Sequence, residues 1–220
     1  MKANKISASI LAASLTELKK EIHLLNKLDI DCIHIDVMDG NFVPNISFGK
    51  DVVRGIKRHT NKPIKTHLMI NNPERHVQDY IDAGSNTIIF HHESTRYHYE
   101  LIKMLKDQNV RVGLALNPST TEKALRYLHQ YLDEILIMTV EPGFCGHKFL
   151  ESQLAKIATI SLYYGRRISL DIGVDGGVNE RTAALSRKAG ANLFIVGSYL
   201  FKEKNYNKNI TKLRKAFLVQ

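Results

Sequence analysis

Tryptophan is absent from the 220-residue sequence, and cysteine occurs only twice, as Cys32 and Cys145. Two thiols build no disulfide framework, which suits a reducing compartment and points to the cytoplasm. No stretch approaches the roughly 18–20 uninterrupted apolar residues of a membrane helix. The opening Met1–Ser9 is short and polar, without the apolar run of a secretory leader. No membrane partner is therefore expected. Acidic side chains are in deficit, 22 Asp+Glu against 31 Lys+Arg, for a formal charge of +9. That surplus reads either as a solvated basic surface or as the mark of an anionic partner. Nucleic-acid binders concentrate basic residues on one element and interleave aromatics for stacking. The densest basic run here, Lys202, Lys204, Lys208, Lys212, Arg214 and Lys215, has no such interleaving, so no nucleic-acid partner is expected. No Ser/Gly/Pro-rich linker divides the chain, and residues 1–220 are read as one domain.

Hydrophobic residues at 44% and charged residues at 24% are ordinary globular values, which exclude disorder, collagen and coiled coil. Short β-rich runs are expected as strands at Lys5–Ile10, Cys32–Asp36, Ile64–Met69, Thr87–Phe90, Arg111–Leu116, Glu134–Thr139, Ser169–Val174 and Leu193–Val196. Runs such as Ile135-Leu136-Ile137-Met138 are apolar on both faces, as parallel strands covered on both sides must be. Between them lie helix signals. Ser14 with Glu17 matches a capping box ahead of Leu18, Ile22 and Leu25, and Asn72-Pro73 reads as a cap followed by proline in the first turn. Gly84 and Gly190 read as stops before strands. Further helices are expected over Tyr97–Gln108, Thr120–Gln130, Leu150–Tyr163, Asn179–Ala189 and Asn207–Leu218. Strands and helices alternating eight times in one domain predict a compact α/β fold, a single (β/α)8 TIM barrel. The doubly wound alternative lacks a Gly-x-Gly-x-x-Gly after its first strand, so no nucleotide cofactor is expected.

A barrel of this kind gathers its active-site residues at the C-terminal ends of the strands. His34 and Asp36 lie two apart on one strand and so point the same way. His67 and Asp175 fall at two other strand ends and can converge on them. Two imidazoles and two carboxylates form a candidate site for one divalent ion, with Zn, Fe, Mn and Co all compatible. Glycine-bearing turns at Gly143–Gly146, Gly176–Gly177 and Gly197–Ser198 follow the sixth, seventh and eighth strands. Their N–H groups are suited to a phosphate dianion, in the place where phosphate sites recur in this fold. The run His91-His92-Glu93 looks like a second metal cluster, but adjacent strand residues point to opposite sides, and it reads as rim and packing.

The stretch His-Ile-Asp-Val-Met-Asp-Gly-Asn-Phe-Val-Pro-Asn (34–45), with His-Leu-Met (67–69), Met-Thr-Val-Glu-Pro-Gly-Phe (138–144) and Val-Asp-Gly-Gly-Val (174–178), resembles the ribulose-phosphate 3-epimerases in order from Ser7 to about Phe201. That resemblance implies interconversion of D-ribulose 5-phosphate and D-xylulose 5-phosphate in the pentose phosphate pathway. It implies His34, Asp36, His67 and Asp175 as metal ligands, with Asp36 and Asp175 as the acid/base pair. Ser9, His67, Gly143, Phe144, Cys145, Gly146, Asp175, Gly176, Gly177, Gly197 and Ser198 match positions that contact substrate and phosphate, and Met38, Met69 and Met138 match methionines lining the site. It also implies a homo-oligomer, dimer or hexamer. The chemistry suits these residue types. Inverting C3 beside a ketone needs a carboxylate on each face, in opposite protonation states, and a Lewis acid to stabilise the enediolate. Two departures stand out. The family's usual Pro-Ser-Ile-Leu-Ser-Ala-Asp is here Ala8-Ser9-Ile10-Leu11-Ala12-Ala13-Ser14, and its Gly-Phe-Gly-Gly-Gln is here Gly143-Phe144-Cys145-Gly146-His147. Cys145 thus places a thiol beside the expected phosphate pocket. Epimerases of allulose 6-phosphate share the His-x-Asp-x-Met-Asp-Gly logic, while the turn at 174–178 favours the pentose enzyme. An idle barrel binding RNA would have to lack one of the four ligand-type residues, and all four are present.

Overall fold

In the computed structural model, which describes residues 2–144, 146–203 and 205–218, eight parallel strands close into a barrel in chain order. They are β1 (Lys5–Ser9), β2 (Cys32–Met38), β3 (Ile64–Met69), β4 (Thr87–His91), β5 (Arg111–Leu116), β6 (Glu134–Met138), β7 (Asp171–Asp175) and β8 (Leu193–Val196). Closure pairs β1 with β8 and leaves no edge among them. The helices are α1 (Leu18–Leu25), α2 (Lys50–Lys57), α3 (Val77–Asp82), α4 (His98–Asp107), α5 (Gln153–Tyr164), α6 (Glu180–Ala189), α7 (Ser198–Phe201) and α8 (Tyr206–Ala216).

The two-residue period of the strands sorts side chains into two layers. Ile33, Ile35 and Val37 of β2, Ile135 and Ile137 of β6, and Phe194 and Val196 of β8 belong to the main core, between strands and helices. Their alternates Leu136, Met138, Leu193 and Ile195 pack with Ile89 and Ala115 as a separate cluster inside the barrel. The inward set changes character along the axis. At the N-terminal end it is charged: Lys65 of β3 is ion-paired with Glu134 of β6, and Lys5 lies 2.8 Å from Asp171. Asn192 Nδ2 also donates to Asp171, at 2.9 Å. Burial works against the Lys65 charge, but the neighbouring Glu134 outweighs it and raises the ammonium pKa. At the opposite end the inward positions include Ser9, His34, Asp36, His67, His91 and Asp175.

The helices depart from expectation in several places. Asn179 forms a full capping box on α6 with Thr182, whereas Ser14 makes no cap bond and a short 3-10 turn, Leu15–Glu17, delays α1 to Leu18. Asn72 takes a left-handed φ of 51°, so Pro73–Arg75 is also a 3-10 turn and α3 starts at Val77. Thr120–Gln130 is not an α-helix; it contains the 3-10 turns Glu122–Leu125 and His129–Tyr131. There the guanidinium of Arg167 binds the carbonyls of His129, Gln130 and Leu132 and pins the end of the segment, a tertiary interaction that overrides local propensity. Finally, α2 fills the β2–β3 connection behind Gly49, which offers no capping side chain to read.

The buried Lys65–Glu134 pair leads to a stability prediction. Glu134→Leu leaves a buried ammonium without its counter-charge and is expected to cost about 3–5 kcal/mol, while Lys65→Met together with Glu134→Leu recovers most of it. Urea unfolding of both variants checks this. Equal losses in the single and double variants would refute it.

Candidate active site

Three of the four ligand-type residues are set by one pair of neighbouring strands. The register of β2 on β3 places Asp36 beside His67, and His34 precedes Asp36 by one strand period. His34 Nε2 lies 3.1 Å from Asp36 Oδ1 and 3.3 Å from His67 Nδ1, and His67 Nδ1 lies 3.2 Å from Asp36 Oδ1. Asp175, the last residue of β7, points at the same two nitrogens, with Oδ2 3.6 Å from His67 Nδ1 and 3.8 Å from His34 Nε2. Ser9, at the end of β1, donates to the other oxygen of Asp36 at 2.6 Å.

One donor atom from each of His34, Asp36, His67 and Asp175 lies within 4.8 Å of the others. A tetrahedron of bonds near 2.05 Å has edges of about 3.3 Å, which the spacings among these nitrogens and oxygens approach. Chemistry and packing therefore both fit a divalent ion, and the set does not name which. Burial alone would raise the Asp36 pKa, yet the two imidazoles outweigh it and hold the carboxyl well below its usual range. Burial opposes protonation of His67, but Asp175 and Asp36 outweigh it and bring its pKa up to about 9. A proton and a metal ion thus compete for the same nitrogen.

Above these imidazoles, one cleft is lined by Ser9, Asp36, Met38, Met69, Met138, Gly143, Phe144, Gly146, Asp175, Gly176, Gly177, Gly197 and Ser198. His34 and His67 are fully buried beneath it. Every candidate from the sequence is accordingly in one place except Cys145, which lies outside the described residues. The turn after β7 is rigid for two reasons. Thr139 Oγ1 donates to the carbonyls of Asp175 and Gly176 at 2.8 and 2.6 Å. Gly177 holds φ 62°, and a Cβ there would stand 2.6 Å from the backbone nitrogen of Phe149. On the other side, Asp39 accepts from the N–H groups of Asn41, Phe42 and Asn71 and folds the loop after β2 over the cleft. Asn45 Nδ2 ties that loop to the carbonyl of Gly143 at 3.0 Å.

Three contributors escaped the sequence reading. Thr139 and Asp39 lie within the quoted motifs, but they act on backbone groups, a role that residue type alone does not reveal. His91 goes beyond rim packing: it is fully buried at the end of β4, stacks on His67 with ring centroids 5.0 Å apart, and brings its Nε2 to 2.9 Å from His67 Nε2. Burial, helped by the charge of His67, lowers the His91 pKa to about 4. Strand alternation was the available signal, since it sends His91 inward with Glu93 two residues on, while His92 stacks on His98.

The chain matches the Ribulose-phosphate 3 epimerase family over residues 5–201. It is 40% identical to the ribulose-phosphate 3-epimerase of Bacillus subtilis (strain 168), over 96% of this chain and 98% of that protein. Identity to the ribulose-phosphate 3-epimerase of Methanocaldococcus jannaschii is 36%, over 97% and 91%. Among solved structures, the 3-hexulose-6-phosphate synthase of Salmonella typhimurium superposes with a TM-score of 0.69 at 16% identity, over 97% of this chain and 98% of that one, a likeness of fold alone. With the strand-end cluster and near-complete coverage of these relatives, the chain belongs to the ribulose-phosphate 3-epimerase family of enzymes.

Proposed function

We propose that the enzyme interconverts D-ribulose 5-phosphate and D-xylulose 5-phosphate by proton transfer at C3, with Asp36 and Asp175 as the two acid/base groups. The observation that carries this reading is that both carboxylates face one cleft while their inner oxygens meet the same imidazole pair. Asp36, held ionised, takes the C3 proton from one face, and the C–H electron pair moves toward the C2 carbonyl to give an enediolate. Asp175, entering the cycle protonated, returns a proton to the opposite face of C3, and the carbonyl reforms. The two carboxyl groups then stand in exchanged protonation states, as the reverse reaction requires. Ser9 keeps one oxygen of Asp36 fixed during the transfer. A divalent ion (Zn, Fe, Mn or Co) held by His34, Asp36, His67 and Asp175 would supply Lewis-acid stabilisation of the negative charge developing on the sugar oxygens. Met38, Met69 and Met138, each at most 5% exposed, exclude water from the intermediate. The phosphate is assigned to the N–H groups of Gly176, Gly177, Gly197 and Ser198, opposite the loop from Gly143 to Gly146.

A place in the pentose phosphate pathway and in the cytoplasm, with no nucleic-acid partner, belongs to the same reading. So does self-association as a dimer or hexamer, for which Leu162, Tyr163 and Ile168 offer exposed apolar surface.

Metal-loaded protein incubated with ribulose 5-phosphate in D2O is expected to yield xylulose 5-phosphate carrying deuterium at C3. Asp36→Asn should lower the rate about 10²–10⁴-fold while the fold survives. Absence of exchange with every one of the four metals, or undiminished turnover by the variant, would refute the proposal. A second expectation concerns pH. With the His67 proton held up to about pH 9, apparent metal affinity should weaken about tenfold per unit as pH falls below 9. Titration with Co2+ across that range checks the slope, and a flat profile would contradict the assignment of His67 as a ligand.

A further inference from the structure

We infer that Glu93 and His91 are positioning residues that fix which nitrogen of His67 carries hydrogen, and so keep His67 Nδ1 open as a metal ligand. The inference rests on the proposed metal site. Three contacts carry it. Glu93 Oε1 accepts from the backbone N–H of Asn117 at 2.9 Å and from the Thr120 hydroxyl, so the loop after β5 locks the carboxylate in place. Its other oxygen lies 3.3 Å from His91 Nδ1, at ion-pair distance, and since that buried nitrogen has no hydrogen-bond partner among the described residues, Glu93 is the group that faces it. His91 Nε2 stands 2.9 Å from His67 Nε2.

The directions follow from donor and acceptor rules. An ionised carboxylate only accepts, so His91 Nδ1 carries the hydrogen and His91 Nε2 presents a lone pair. That lone pair accepts from His67 Nε2–H, which leaves His67 Nδ1 bare toward Asp36 and Asp175 when His67 is neutral. Each link has one consistent polarity, from a backbone N–H on the β5 loop to the ligand set. The second imidazole is not held in this way. His34 Nδ1 is likewise buried without a hydrogen-bond partner among the described residues, but the ion pairs of that ring run through Nε2 and no carboxylate pairs with Nδ1. The cluster's orientation on the β3 side therefore depends on Glu93.

An isosteric change tests this. In Glu93→Gln the amide oxygen must stay on Asn117 N–H, an obligatory donor, so the amide NH2 turns toward His91 Nδ1. His91 must then accept at Nδ1 and carry hydrogen on Nε2. His67 is driven to hydrogen on Nδ1, which blocks the ligand position. Co2+ affinity, measured by visible absorption titration on the full chain, is expected to fall about 10–100-fold in Glu93→Gln. His91→Phe, which keeps the stacked ring and removes the acceptor, should fall similarly. His91→Gln, whose amide spans Glu93 and His67 with its oxygen toward His67, should recover most of the loss. A merely structural role would lower the melting temperature of the metal-free protein without this ordering of affinities. Parental affinity in folded Glu93→Gln, or equal affinities for His91→Phe and His91→Gln, would overturn the inference and leave the metal site standing. Failure of the parent protein to bind Co2+ would overturn both.

Discussion

Asp36 carries a negative charge where only 4% of the residue meets solvent, and the upper barrel is organised around compensating it. A lone carboxylate in such a place would neutralise itself by taking up a proton. Ser9 hydrogen-bonds one oxygen and two imidazoles face the other. Two carboxylates and two imidazoles this close are balanced either by protons or, in the site we propose, by a metal. Protonation of His67 and metal binding are alternative solutions to the same electrostatic problem.

The lower barrel answers the same problem differently. Lys65 and Glu134 face each other across the lumen, and Lys5, Arg111 and Asn192 converge on Asp171. Lys5, Lys65, Arg111, Glu134 and Asp171 point inward for the same reason as the ligand-type set, since strand alternation commits every second residue to the interior, while Asn192 reaches Asp171 from just before β8. At the N-terminal end the chain supplies both charges itself and the cluster is closed. At the C-terminal end the carboxylates of Asp36 and Asp175 remain open to the cleft. One folding rule thus produces a structural plug and a reactive site, and the difference lies in which charges the sequence pairs internally.

The strands and the four ligand-type residues were legible because both depend on short-range rules: apolar runs of strand length and a two-residue period. What could not be read depends on distant partners. Thr120–Gln130 has helix-forming composition, yet Arg167, tens of residues onward, takes its terminal carbonyls. The Ser14 and Asn72 caps failed because backbone 3-10 bonds satisfied the same turns first. His91 was pointed correctly by alternation, but its significance needs the β4 end, the β5 loop and His67 together. No local window contains all three.

The surplus of basic residues finds only a small outlet at the site. Near the phosphate turns, Arg181 is paired with Glu151 at 2.8 Å, while His147, Lys148 and Lys202 line the outer groove beside Gly177 and Ser198. Elsewhere Lys50, Lys106, Lys208 and Arg214 meet Asp79, Asp133, Glu203 and Asp29 in surface pairs. Exposed pairs of this kind contribute about 0–1 kcal/mol each, so they do not explain the composition through stability. In the proposed reaction a dianion would meet the N–H groups of the glycine turns at the end of its path and Lys148 and Lys202 at its entrance. The first give geometry and the second give range, because a side-chain charge acts out to a Debye length of about 8 Å at physiological salt while a hydrogen bond acts only at contact. In the reaction we propose, the basic groove would gather the sugar phosphate and the turns after β7 and β8 would hold its phosphate so that C3 stands between the two carboxylates.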